Sequence, residues 1–147
     1  MTEKIKNQIL RLGTKGRDIF VSSIDESGFP NTKCMFRCKQ EGLRIFYFST
    51  NVSSVRAQQF MANPKACLYF PDRLRFHALM LIGEIEVLTD QPTKEMLWKP
   101  GDEKYYALGV TDPDYCVLKF TAKRGNYYHG SATEFIKEWF DIEEVSA

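Results

Sequence analysis

The chain has 147 residues, enough for one domain with one sizeable core, and its 44% hydrophobic and 27% charged content is ordinary for a water-soluble globular protein. Twenty basic against nineteen acidic residues leave a formal charge of +1 with no long basic run, which argues against nucleic-acid binding. The start MTEKIKNQIL has no apolar signal segment, and no stretch approaches about 18 consecutive apolar residues, so neither secretion nor a membrane span is expected and the cytoplasm is favoured.

Ile5, Ile9, Leu10 and Leu12 recur at near-helical spacing, which predicts a short amphipathic helix over residues 3–13. A strand follows at 18–25. The turn ESGFPN, punctuated by Gly28 and Pro30, joins it to a second strand at 31–38, giving a hairpin. On that second strand Lys33, Met35 and Arg37 share one face, and Cys34, Phe36 and Cys38 the other. A strongly β-prone third strand occupies 43–50. Helix-start residues and good helix formers predict a helix over 51–62, ended by Asn63-Pro64.

A fourth strand is expected at 65–70 with a break at Pro71-Asp72, and a long apolar strand at 76–89 with Gly83 inside it, a mark of a bulge or tight bend. Residues 92–98 read as a short helix with Pro at its start, followed by a Gly- and Pro-punctuated connection to Asp114. The last strand runs 115–123 and continues to Tyr128. The tail 132–140 reads as a helix with Phe135, Ile136, Trp139 and Phe140 on one side. Six strands with short helices between them suggest a mainly β, closed or nearly closed antiparallel barrel. The pattern is not βαβ alternation, and no Gly-rich dinucleotide fingerprint is present.

Four cysteines, Cys34, Cys38, Cys67 and Cys116, form no C-x-x-C pair, and His77 and His129 lie far from the first two, so reduced thiols rather than a zinc site are expected. The chemically informative stretch is Phe48 to Arg56, where a strand end runs into the first turn of a helix. Backbone N–H groups and the positive end of the helix dipole gather there. Ser49, Thr50, Ser53 and Ser54 add hydroxyls, and Arg56 adds a cation able to chelate an oxyanion. That equipment suits a phosphate monoester. The same residues would also serve as a plain Ser/Thr-rich N-cap with Arg56 on a solvated face.

Phe48-Ser49-Thr50-Asn51 followed by Ser53-Ser54-Val55-Arg56, then Asn63-Pro64 and the strand Ala66 to Phe70, resembles the pyridoxamine 5'-phosphate oxidase-like flavoproteins. The resemblance extends upstream to Gly28-Phe29-Pro30 and downstream to Leu81-Ile82-Gly83-Glu84 and Tyr127-Tyr128-His129-Gly130, covering about residues 15–130. It implies a six-stranded antiparallel split β-barrel with short flanking helices, forming a homodimer with an FMN at each interface site. By position it implies a basic Lys33 near the flavin phosphate and Cys34, Met35 and Phe36 along the strand beside the ring. It further implies Ser49 and Thr50 at the flavin, Ser54 and Arg56 at the phosphate, and Tyr128 reaching the partner's flavin.

Three departures qualify the match. Val55 stands where the authentic oxidase has a second basic residue, and Ala78 where a flavin-contacting Gln is expected, with His77 beside it as a substitute. The Arg-Leu-His-Asp-Arg element that binds the vitamin substrate is not found after Gly130, so vitamin-forming oxidation is not expected and the likeness is to short, general-stress-type members. The resemblance implies a flavin-dependent oxidoreductase acting on a small molecule, with NAD(P)H a candidate electron donor. The alternatives are a flavin- or haem-binding storage, carrier or stress-response protein, and a flavin-free structural dimer. Trp98, Tyr105 and Tyr106 are expected either to cover the flavin as a lid or to pack in a crossover. Asp112 and Asp114 are read as turn and capping residues rather than a catalytic pair.

Overall fold

The computed structural model describes residues 1–15, 18–36 and 39–145. Three helices accompany one antiparallel sheet curled into a half-barrel. The helices are α1 (Glu3–Thr14), α2 (Val55–Ala62) and α3 (Gln91–Leu97). The strands are β1 (Asp18–Ile24), β2 (Pro30–Phe36), β3 (Lys39–Glu41), β4 (Ile45–Asn51), β5 (Lys65–Asp72), β6 (His77–Leu88), β7 (Tyr115–Gly130) and β8 (Phe135–Asp141). Their order is β2-β1-β5-β6-β7-β4-β3, with β8 added to β7. The split-barrel class is as expected, but the sheet has eight strands rather than six.

The two extra strands have separate causes. β3 is only three residues long, and its pairing with Ile45–Tyr47 defines it more than its own sequence does. β8 replaces the expected C-terminal helix. The long β7 gives one edge to β6 and shares the other between β4, along 115–121, and β8, along 124–130. The spacing of Phe135, Ile136, Trp139 and Phe140 fits either element, and an edge of β7 left open beyond β4 selects the strand. Phe140 lies over Gly125, where any Cβ would collide with its ring, and Phe135 stacks on Tyr128 at 4.9 Å. The expected break at Pro71 is absent too. β5 pairs with β6 through Asp72, and its β1 ladder ends at Tyr69, so the missing proline N–H interrupts no pairing.

Inside the barrel, Phe46, Phe48, Phe120, Leu68, Leu79, Leu81 and Ile85 are almost wholly buried. Opposite them, on the outer side of β4 and β7, Tyr47, Tyr115 and Val117 pack with Leu97 and Tyr106 from α3 and the loop after it. Cover on both faces explains why β4 and the start of β7 are hydrophobic without alternation. Gly83 marks a bulge where the β6–β7 register shifts, and a side chain there would strike the Thr121 carbonyl.

Candidate functional site

β2 is an edge strand with a neighbour, β1, on one side only. At the other end of the sheet, β3 covers β4 only from Ile45 to Tyr47. The gap between these two margins is a cleft of about 510 Å³. Lys33, Cys34, Met35 and Phe36 of β2 form one wall, Ser49, Thr50 and Asn51 at the end of β4 form another, and Arg56 of α2 stands at its margin. Leu97, Lys99, Asp102, Tyr105 and Tyr106 close the far side. Met35 is buried against the core, whereas Lys33, Cys34 and Phe36 are exposed. Arg37 and Cys38 lie outside the described residues.

The turn from β4 into α2 is built by capping and by one carboxylate. Ser54 is the N-cap of α2, its hydroxyl accepting the Ala57 N–H at 3.1 Å. Helix geometry therefore begins at Val55 rather than at 51, because the residues before it are committed elsewhere. Asp114 accepts the Ser53 N–H at 2.8 Å, the Ser53 hydroxyl at 2.9 Å and the Asn51 side-chain amide at 2.8 Å. Its own carbonyl takes the Val52 N–H at 2.7 Å. These donors, the Ser53 N–H first, hold the Asp114 carboxyl below its ordinary value. Asp112 accepts the N–H groups of Leu108 and Asp114, which makes both aspartates turn-organising residues.

Arg56 is different. Its guanidinium is half-buried and has no hydrogen bond or ion pair among the described residues, and burial alone pulls its pKa down. A cation that has lost solvation without gaining a protein partner has capacity left for a ligand anion. The far wall is tied to the near one. The buried Tyr106 hydroxyl donates to the Thr50 carbonyl at 3.2 Å, and Trp98 packs on Tyr106 and Tyr115 behind it. Lys94, buried under the same loop, donates to the Asp112 carbonyl at 2.8 Å. Tyr105 is 70% exposed at the cleft mouth. Of this aromatic segment, Tyr105 and Tyr106 line the cleft while Trp98 packs behind them.

Seven of the eleven residues singled out in the sequence meet in this cleft: Lys33, Cys34, Met35, Phe36, Ser49, Thr50 and Arg56. Ser53 and Ser54 sit in the adjoining turn with their hydroxyls engaged by Asp114 and Ala57. His77 and Tyr128 lie at the opposite end of β7. Cys116 pairs with Thr50 and Tyr128 with Ala78, so about 40 Å of strand separates them at ~3.3 Å per residue. His77 Nδ1 is 3.2 Å from the Tyr127 hydroxyl, which also contacts Gln8 Oε1 at 3.1 Å. Lys99 and Asp102 were not legible as cleft residues. Their only signal was the Lys-Pro-Gly-Asp turn that places them. Of the thiols, Cys34 is exposed in the cleft, while burial pushes Cys67 and Cys116 up to about 11.

The family model for pyridoxamine 5'-phosphate oxidase matches residues 2–129. A crystal structure of a Clostridium acetobutylicum protein, described as related to general stress protein 26 of B. subtilis and of the pyridoxinephosphate oxidase family, superposes with a TM-score of 0.81. It is 43% identical and the match covers 99% of both chains. A pyridoxamine 5'-phosphate oxidase-related, FMN-binding protein of Nostoc punctiforme shares the fold at 13% identity, with 95% and 96% coverage and a TM-score of 0.57. The pyridoxine/pyridoxamine 5'-phosphate oxidase of Agrobacterium fabrum is 30% identical over 73 residues, which span 50% of this chain but only 35% of that enzyme.

Proposed function

Because this chain belongs to the pyridoxamine 5'-phosphate oxidase family, we propose that the cleft between β2 and β4 binds flavin mononucleotide and that the protein is a flavin-dependent oxidoreductase acting on a small molecule. The observation that carries this reading is Arg56, a half-buried cation with no hydrogen bond or ion pair among the described residues, standing in the first turn of α2 and lining the cleft with Lys33. The residues fit the cofactor in kind. Two cations and a helix start suit its phosphate. As an edge strand, β2 turns one row of backbone N–H and C=O groups away from β1, which suits the polar rim of a planar ring. Met35 and Leu97 offer apolar cover. The Nostoc relative's FMN binding agrees with the assignment.

Bound there, the flavin would supply the transfer of a hydride or electrons to or from the substrate. The protein's part is position. Asp114 fixes the turn that presents Arg56, and the Tyr106–Thr50 hydrogen bond fixes the far wall. Tyr105 and Lys99 at the mouth are placed to meet the second reactant, with NAD(P)H the candidate donor.

The active species in this reading is a homodimer. The register aligns Cys34, Phe20, Tyr69, Met80, Asn126 and Trp139 in one row across six strands. Phe20, Tyr69 and Trp139 in that row, and Phe36 beside it, are all exposed large hydrophobics. A largely apolar row of this kind, interrupted only by Asn126, marks an interaction face, and it runs into the β2 wall of the cleft. A second copy is its occupant, and Trp139→Glu should convert a sedimenting dimer to monomer; a native monomer would refute it.

Flavin titration of the purified protein tests the function. FMN should bind, and Arg56→Ala should weaken it by about 1.5–3 kcal/mol, roughly 10- to 150-fold, while leaving riboflavin affinity unchanged. An unaltered FMN affinity would remove the phosphate assignment. Bleaching of the bound flavin by NAD(P)H faster than of free flavin supports catalysis; its absence with every reductant tried would leave a carrier or storage role.

A further inference from the structure

The hairpin that joins β5 to β6 carries groups that neither the barrel core nor the cleft uses. Asp72 pairs with His77, so Arg73, Leu74, Arg75 and Phe76 form a four-residue loop between them. Leu74 is 95% exposed and Phe76 is 72% exposed. Phe76 also has a φ of 54°, a left-handed conformation that is an outlier for so bulky a side chain. Strain of this kind persists only where the surroundings enforce it, and it collects at binding sites. Here it holds out an aromatic ring that the chain itself leaves in water.

The enforcing contacts belong to Asp72. One carboxylate oxygen accepts the Arg75 N–H at 3.3 Å, and the other pairs with the Arg75 guanidinium at 3.5 Å and with Arg11 of α1 at 3.3 Å. The loop is thereby tied to α1. Arg73 and Arg75 are both exposed, so the loop presents cation, apolar, cation, apolar, with no acid within it. Arg75 and Phe76 border Gly130, Ser131 and the exposed Phe135 across a hollow of about 330 Å³, which brings a third apolar side chain to the same end of the barrel. On that neighbouring turn Glu134 and Lys137 offset each other in charge.

We infer that the Arg73–Phe76 loop is a shallow, reversible docking point for an anionic lipid surface. Leu74 and Phe76 enter the boundary between headgroups and acyl chains, while the guanidinium groups beside them stay among the lipid phosphates. Negative lipid completes the match, since each Arg near such a surface adds to the attraction. A stable protein interface takes about 20–30 residues a side, and a four-residue apex is too small to be one. Docking there needs no flavin in the cleft.

Co-sedimentation of the native protein with lipid vesicles tests this. Vesicles of equal parts phosphatidylglycerol and phosphatidylcholine should bind it about tenfold more tightly than phosphatidylcholine alone, and high salt should shrink that difference. Leu74→Ser should weaken binding to the anionic vesicles about tenfold, and Arg73→Gln about fivefold. Phe76→Gly should weaken it to a similar degree without a loss of urea stability, because glycine adopts a left-handed φ without strain. A loss of binding in that variant is therefore not a loss of fold. Equal binding to both kinds of vesicle, binding to neither, or undiminished binding by Leu74→Ser and Phe76→Gly overturns the docking point. So does a shift of these variants from dimer to monomer in the absence of lipid, which would show the loop covered by a second copy of the chain.

Discussion

β7 carries a polar neighbourhood at each end, and the two differ in whether the polar groups face an open space or one another. Beside Tyr115–Val117 lies the cleft, where Arg56 has given up part of its solvent and has no hydrogen bond or ion pair among the described residues. At Tyr127–Gly130 the groups are turned on one another, and the buried His129 Nε2, Glu138 Oε2 and Asn126 Nδ2 have no hydrogen-bond partner among the described residues. Tyr127, fully buried, bridges His77 and Gln8; His129 stacks on Tyr127 at 4.6 Å and faces Glu138 at 3.8 Å. Histidine and tyrosine are the residue types one searches for in a reactive site, yet within one chain they build a polar seam under α1. What distinguishes the cleft is its charge and opening: two cations, Lys33 and Arg56, border an open space there, whereas the unpartnered atoms of the far end, His129 Nε2 and Glu138 Oε2, are buried.

The largest expected effect separates the open cleft from the packed sheet behind it and is in thiol chemistry. With pKa values near 11, Cys67 and Cys116 are only about 0.1% thiolate at pH 8, against roughly a quarter for an ordinary thiol. Iodoacetamide should therefore label Cys34 about a hundredfold faster than either, and bound FMN should slow Cys34 alone; peptide mass spectrometry reads both. Equal labelling of the three would show that the cleft is no more open than the core.

Next in size is Tyr127→Phe, which strands His77 and Gln8 and should cost about 1–3 kcal/mol in urea unfolding. FMN affinity should stay within twofold. A larger loss in this variant, matched by His77→Ala, would break the comparison, because it would mean that the far end of one protomer completes the cleft of its partner.

The smallest effect concerns the turn. Asp114 has a folded pKa below its ordinary 3.8, so its hold on Ser53 and Asn51 is complete above that value and is lost only as pH falls through the lowered one. Between pH 5 and 8 the titration of this group should accordingly contribute nothing to the pH dependence of FMN affinity. Asp114→Asn, which puts an amide against donors, should weaken FMN several-fold at neutral pH and spare riboflavin. Equal losses for both would show Asp114 supporting the fold at large rather than the phosphate turn.

Most strands were legible because alternation and β-branched or aromatic runs survive in one dimension, as at 18–25 and 65–70. The cleft's β2 and β4 walls were legible for a related reason, since Lys33–Phe36 and Ser49–Arg56 are each contiguous. Its third wall was only partly so. Tyr105 and Tyr106 drew notice as aromatics, but Lys99 and Asp102 have no pattern of their own. Asp114 looked like a turn residue and is one, but the turn it organises lies 61 residues earlier in the chain. His77 and Tyr128 were placed with the cofactor by type and position, and one protomer sets them at the far end of β7.

The sequence by itself determined the β-rich class, a Ser/Thr-rich helix start after the third strand and the cluster of polar groups before Arg56, because these depend on neighbours a few residues apart. Only the tertiary structure decided that the tail becomes β8, that Asp114 consumes Ser53 while Arg56 stays unmatched among the described residues, and that β2 and β4 face each other across an open seam. Each of those outcomes is a competition for partners, settled by which strand edges and which donors the fold brings within reach.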